Sequence, residues 1–307
     1  MTEFSLRDTY GDFLVEYGKK ESRIVVLDSD LSSSTRTFKF AQKYPDRFFN
    51  MGIAEQNTLG SALGFAISGK IPIVSGFSIF TTGRAWEFIR LACHDNLNVK
   101  IVATHGGFVG EDGSTHNALE DISLMSTLPN MKILVPIDHI ELKEMLKFVV
   151  QNSGPFYIRL PRGAFPQIHE SNYQFELGRP EVLKEGNEIC LIGTGYGGIL
   201  AYQSAGSLEK ELGVSLKVIN LSSIKPIDIN DLKNQVKDQK GIIVIEEHNL
   251  YCGVGSIIAR ILSEDLNLPM RFIGIEDSFG QSGKREVLLD KYGLNFKSLK
   301  EKIESLL

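Results

Sequence analysis

The strongest constraint on this chain is a rhythm: short apolar, β-favouring runs recur with helix-length segments between them. Residues 24–27 read Ile-Val-Val-Leu, and comparable runs stand at 71–74, 100–103, 133–135 and 156–158. Parallel strands need long crossover connections, usually helices, before neighbours can pair. The spacing therefore predicts a mostly parallel sheet with helices on both faces. Leu6, Tyr10, Phe13, Leu14 and Tyr17 recur at helical spacing and predict an opening amphipathic helix. Over residues 166–186 the pattern lapses into a polar stretch with Pro166, Gly178 and Pro180, which predicts a linker. A second α/β unit follows, with strands expected at 188–192, 214–221 and 242–246. Its closing helix carries Phe296, Leu299, Ile303 and Leu306. The expected fold is α/β with two doubly wound domains, over 1–165 and 187–307. In such folds ligands sit beyond the carboxyl ends of the strands, so the loops after each run are the candidate ligand sites.

The second half contains Gly193-Thr-Gly195-Tyr-Gly197-Gly198, a formal match to the dinucleotide fingerprint, with Glu209 and Glu211 downstream at a ribose-binding distance. Any tight strand-to-helix turn uses glycines, and the plain turn is the favoured reading. The net charge of −5 gives no electrostatic reason to expect nucleic acid or an anionic membrane. No apolar run has the length of a membrane span, and the first residues lack the pattern of a signal peptide. Three widely separated cysteines, Cys93, Cys190 and Cys252, imply no disulfide framework. A cytoplasmic location is expected.

Chemistry concentrates in the first half. Asn50-Met-Gly-Ile-Ala-Glu55-Gln-Asn57 sets one carboxylate at the mouth of a helix containing Gly60, Ala62, Gly64 and Ala66. Small residues allow close packing, so Glu55 is expected in an apolar crevice, where a carboxyl can donate a proton near neutral pH. A glutamate favourably placed at a helix N-terminus is the plainer alternative. After the next strand run, Phe77-Ser-Ile-Phe80-Thr-Thr-Gly83-Arg84 offers aromatic faces at a strand's carboxyl end. The loop from His105 to His116, containing Glu111 and Asp112, is richer in polar groups than its glycines require. Its spacing fits no zinc pattern, and such loops bind sugars and phosphates readily. No metal is expected on this chain.

These residues carry a resemblance. Met51-Gly-Ile-Ala-Glu55-Gln, the Phe77 and Phe80 pair and Gly110-Glu-Asp-Gly-Ser-Thr-His116 resemble the C-terminal half of transketolase. So do Leu128-Pro129-Asn-Met131, Arg159-Leu-Pro-Arg162 and Glu246-Glu-His-Asn-Leu-Tyr251. The resemblance spans nearly the whole chain, with the motifs in order. It implies a pyrimidine-binding domain, then a transketolase C-terminal domain, with thiamine diphosphate as cofactor and Mg2+ beside its diphosphate. Glu55 matches the glutamate that exchanges a proton with N1′ of the aminopyrimidine, and Phe80 the residue stacked on that ring. Phe77 lies beside it, and Asp30 matches an acid near the cofactor. Arg7, Ser34, His105 and Arg162 match residues that hold the substrate phosphate, and Asp112 and His116 those that contact sugar hydroxyls. Glu55 and His116 thereby take the catalytic roles. The 105–116 loop is slightly shorter than the family's, which bears on the position of His105. Gly83 stands where full-length transketolases often carry a bulkier side chain, which alters the pocket wall.

The family holds magnesium and diphosphate with a Gly-Asp-Gly segment followed by an asparagine. Glu111-Asp112-Gly113 is the only near relative of it here and has no such follower. The resemblance thus implies a partner: an N-terminal transketolase subunit carrying Gly-Asp-Gly…Asn, in an α2β2 heterotetramer. The expected reaction moves a two-carbon ketol unit between sugar phosphates. The rival readings are the β subunit of a thiamine-diphosphate-dependent 2-oxoacid dehydrogenase and a deoxyxylulose-phosphate-synthase-like enzyme. A non-catalytic nucleotide-binding module would rest on the Gly193 turn alone.

Overall fold

The computed structural model describes residues 2–307. They form two compact units. The first runs through Val109 and resumes over His116–Phe175; the second comprises Gly110–Thr115 and Glu176–Leu307. The chain crosses between the units at Val109–Gly110 and Thr115–His116, and last between Phe175 and Glu176.

The first unit contains β1 (Glu3–Ser5), α1 (Leu6–Lys20), β2 (Ile24–Asp28), α2 (Ser32–Thr35), α3 (Phe38–Lys43), β3 (Phe48–Asn50), α4 (Glu55–Ile67) and β4 (Ile71–Phe77). It continues with α5 (Ser78–Arg84), α6 (Trp86–His94), β5 (Lys100–Thr104), α7 (Asp121–Ser126), β6 (Lys132–Leu134), α8 (His139–Gln151), β7 (Phe156–Arg159) and β8 (Ala164–Pro166). Six of these strands lie side by side in the order β6-β7-β5-β4-β2-β3, all parallel. Strands β2, β4 and β5 are buried along their whole length. That is why they read as continuous apolar runs rather than alternating ones. The chain passes from β2 to β3 on one side, then returns through α4 to β4 on the other. The loops after β2, β3 and β4 therefore open around one switch point, the usual place for a ligand in such a sheet.

Local signals account for the helices. Ser5 caps α1 by accepting from the Asp8 amide, with Asp8 in the first turn and Lys19 and Lys20 in the last. Asp138 caps α8 and also accepts from the Ile168 and His169 amides at 2.8 and 2.7 Å, tying the segment after β8 to the helix.

The second unit contains β9 (Glu181–Lys184), β10 (Ile189–Gly193), α9 (Tyr196–Leu212), β11 (Leu216–Asn220), β12 (Ser223–Lys225), α10 (Ile229–Val236), β13 (Gly241–Asn249), α11 (Val254–Ser263), β14 (Met270–Ile275), α12 (Arg285–Lys291) and α13 (Phe296–Glu304). Its sheet runs β14-β13-β10-β11-β9, parallel except for β9, which lies antiparallel to β11. Both units are thus wound as α/β sheets. The Gly193 turn is explained by packing. A Cβ on Gly193 would stand 2.3 Å from the Gly198 amide nitrogen, and one on Gly197 would stand 2.1 Å from the Ile245 carbonyl oxygen. Glu209 pairs with Lys184 at 2.5 Å and accepts from the Leu216 amide, and Glu211 pairs with Lys300 at 2.5 Å. Both acids of the dinucleotide-like pattern are thus engaged in lysine pairs. Among the described residues no helix is long and apolar enough to cross a membrane.

Candidate active site

The switch point is organised from β2 outward. Asp28 ends that strand fully buried, and its carboxylate accepts from the Leu31 amide and from the Thr35 and Thr37 hydroxyls at 2.6–2.8 Å. Burial pushes its pKa up while those hydrogen bonds oppose the rise. The folded-over segment 28–37 carries two non-glycine residues in the left-handed region, Asp30 and Arg36. Such a backbone persists only where its surroundings enforce it. It presents Asp30, exposed, to Asn50 of β3, whose amide donates to Asp30 Oδ1 at 3.0 Å. The Asn50 side-chain oxygen accepts from the Gly52 amide at 3.0 Å. Asn50 thus links the Asp30 loop to the turn that leads into Glu55.

Glu55 is the first residue of α4, and only 5% of it is exposed. The crevice is not wholly apolar, because Arg84 Nη1 stands 3.2 and 3.3 Å from its two carboxylate oxygens. The same guanidinium lies 4.4 Å from the Phe80 ring centroid. One flat cation thus bridges the carboxylate and the aromatic face. Of the small residues on α4, Ala62 is buried, whereas Gly64 is exposed and a Cβ there would meet nothing within 4 Å.

The aromatic residues gather next to this pair. Phe77 is buried; its ring is 6.2 Å from that of Phe80 and 3.8 Å from that of His105. His116 meets Phe80 edge-on at 5.2 Å. His105 is buried in the left-handed region, with Nδ1 2.8 Å from the Thr104 hydroxyl. Burial first, then the charges of Arg7 and Arg162 and the neighbouring His116, hold its pKa down at about 3. It is therefore neutral at physiological pH. Arg7 is half-buried on α1 and donates to the Ser34 carbonyl oxygen at 2.9 Å, and its Nε makes no hydrogen bond. Burial, then the charges of Arg36 and Arg162, lower its pKa. Arg162 donates to the Val109 carbonyl oxygen. The structure therefore brings Arg7, Ser34, His105 and Arg162 into one cation-rich cluster, next to the rings of Phe77 and His116. Asp112 is exposed on the turn Gly110–Asp112, which belongs to the second unit.

Sequence reasoning missed Arg84 as a functional residue, although it is four positions after Phe80 on one helix, where side chains meet. It also missed the buried set beneath the His105 loop. Arg159 Nε donates to Asp121 at 2.8 Å, the Tyr157 hydroxyl to the same oxygen at 2.5 Å, and Arg159 Nη2 to the Ala118 carbonyl oxygen at 2.8 Å. Nothing local in the sequence pairs Asp121 with residues beyond 150.

Two family models divide this chain between them. The transketolase pyrimidine-binding domain matches residues 2–167, and the transketolase C-terminal domain matches residues 178–299. The chain belongs to the transketolase family. It is 43% identical over 303 residues to a transketolase C-terminal section of Methanocaldococcus jannaschii, so described, covering 97% of this chain and 95% of that protein. It is 34% identical over 301 residues to the 6-deoxy-6-sulfo-D-fructose transketolase subunit SqwH of a Clostridium species, covering 97% and 93%. A solved split-gene transketolase, an inactive beta4 tetramer, superposes with a TM-score of 0.90 at 41% identity, covering 100% of this chain and 99% of that one. Transketolases depend on thiamine diphosphate, and membership implies that dependence here. The residues fit such a group: a flat cation with N–H donors, the Arg84 guanidinium, already lies between Glu55 and the Phe80 face.

Proposed function

We propose that this chain is the C-terminal subunit of a two-chain transketolase that moves a two-carbon ketol unit from a ketose phosphate to an aldose phosphate. It works in the cytoplasm, in an α2β2 assembly. The N-terminal partner, bearing Gly-Asp-Gly…Asn, holds the diphosphate and Mg2+. The observation that carries this reading is the adjacency of a buried carboxylate and an aromatic face to a cluster rich in arginine.

Thiamine diphosphate, when bound, supplies the electron sink for carbon–carbon bond exchange. This chain's residues do the rest. Glu55 holds a proton at N1′ of the aminopyrimidine. The Phe80 face, with Phe77 behind it, orients that ring, and Asp30 stands near the cofactor on its exposed loop. Arg7 and Arg162 clamp the phosphate of the sugar, since forked guanidinium donors fit two oxygens at once. Ser34 and His105 complete that grip. His116, edge-on to Phe80, contacts sugar hydroxyls and passes protons at the reacting carbonyl, and Asp112 binds a further hydroxyl.

The test uses the purified chain alone and together with its partner. Turnover is expected only from the two-chain assembly, with ketose phosphates or hydroxypyruvate as donors. Robust turnover by this chain alone would refute the two-chain reading. Preferential consumption of pyruvate would favour the rival carboligation or oxoacid chemistry.

A further inference from the structure

Arg84 ends α5 with its side chain about half exposed (53%), while its partner Glu55 is only 5% exposed. An exposed arginine could extend into water. Instead it turns inward, sets Nη1 within 3.3 Å of both Glu55 oxygens and lays its guanidinium 4.4 Å from the Phe80 centroid. Those are the two surfaces that the proposed function gives to the aminopyrimidine ring. A guanidinium resembles that ring in being flat, rich in N–H donors and able to stack.

We propose that Arg84 is a placeholder in the cofactor seat: it covers Glu55 and Phe80 and swings outward as the aminopyrimidine enters. This inference rests on the reading that Glu55 and Phe80 receive the cofactor ring. Three features favour the swing. A carboxylate as buried as Glu55 is costly to leave without a counter-charge, so a replaceable partner stabilises the open protein. Both contacts are open to water on the Arg84 side, which weakens the ion pair and the cation–π contact. There is also room: Gly83, the residue before Arg84, is exposed, and a Cβ on it would meet nothing within 4 Å.

The placeholder competes with the cofactor, so its removal should tighten binding. Titrating thiamine diphosphate with Mg2+ into the two-chain assembly, and following the heat of binding, reads this directly. Arg84→Gln keeps much of the length and loses the charge. It should bind the cofactor about 5- to 30-fold more tightly than wild type, the factor corresponding to one half-exposed ion pair plus one cation–π contact. Arg84→Lys keeps a charge for Glu55 but loses the flat face over Phe80, and should fall between the two. General damage to the fold weakens binding, so a gain in affinity cannot arise from it. Affinity equal to or weaker than wild type in both variants would overturn the placeholder and make Arg84 a permanent partner of Glu55. If the wild-type assembly bound no thiamine diphosphate, the underlying reading of the site would fall and the placeholder with it.

Discussion

Two charged clusters in the first unit meet the cost of burial in opposite ways. At Asp121 a fully buried carboxylate accepts from a buried guanidinium and a buried phenol, and charge is balanced within the cluster. Around Arg7 the first charges felt are those of Arg36 and Arg162, both positive, and its buried Nε makes no hydrogen bond. Desolvated charge is tolerated where compensation is built in. The balanced cluster is therefore scaffold. It supports the His105 loop so closely that a Cβ on Gly106 would stand 2.5 Å from Arg159 Cγ. Around Arg7 the acid Asp8 acts more weakly than the two arginines and pairs with Arg36 at 2.9 Å, and the net positive influence suits the sugar phosphate of the proposed function.

Breaking the balanced cluster should have the largest effect. Asp121→Ala leaves Arg159 buried without its partner and should cost about 3–5 kcal/mol of stability, the usual scale for one half of a buried pair. Urea unfolding checks this, and a loss below ~1 kcal/mol would show that the pair is dispensable. The surplus cluster should behave differently. Arg162→Ala should leave stability nearly unchanged but raise KM for phosphorylated donors about 10- to 150-fold, since a hydrogen bond to a charged group contributes roughly 1.5–3 kcal/mol. Hydroxypyruvate, which carries no phosphate, should be little affected. Arg7→Ala should follow the same pattern more weakly. Equal losses on both donors would move these arginines into the scaffold class.

Smaller effects sharpen the contrast. Phe80→Ala removes the flat face beside Arg84 and His116 and should weaken cofactor binding by about 0.5–1.5 kcal/mol beyond lost burial. A collapse of thermal stability with unchanged affinity would instead mark Phe80 as core. The smallest effect is His105's pH dependence. Its folded pKa, about 3, lies below the unfolded value of 6.5, so the unfolded chain takes up the proton first as pH falls. Stability then drops with decreasing pH from about 6.5 toward 3. Between pH 7.5 and 6 the loss is under about 1 kcal/mol, and His105→Gln should flatten it. Inorganic phosphate bound by Arg7 and Arg162 should raise the His105 pKa, measurable by NMR titration.

Legibility in the sequence followed physics rather than importance. The strands β2, β4, β5 and β7 announced themselves because burial on both faces demands continuous apolar runs. β3, β9 and β14 did not. β3 has only three residues, and β9 and β14 are half-buried along most of their length, so their side chains are mixed. Glu55, Phe77 and Phe80 were visible as local motifs at strand ends. The Asp121–Arg159–Tyr157 set was not, because its members are distant in sequence and joined only by the fold. Arg84 lay in between: its spacing from Phe80 was readable, but its reach to Glu55 was not. The glycines of the Gly193 turn gave the opposite error risk, since close backbone packing produces the same letters as a phosphate-binding loop.

The central claim is that Glu55 manages a proton of the cofactor rather than simply ending a helix. The most direct test is the rate of exchange of the C2 proton of thiamine diphosphate bound to the two-chain assembly, comparing wild type with Glu55→Gln. Lost acid–base catalysis predicts exchange slowed by about 10²- to 10⁴-fold, with ketol transfer falling in parallel and the unfolding midpoint little changed. Exchange and turnover both near wild type in the folded variant would contradict the account and leave Glu55 as a helix-end carboxylate paired with Arg84.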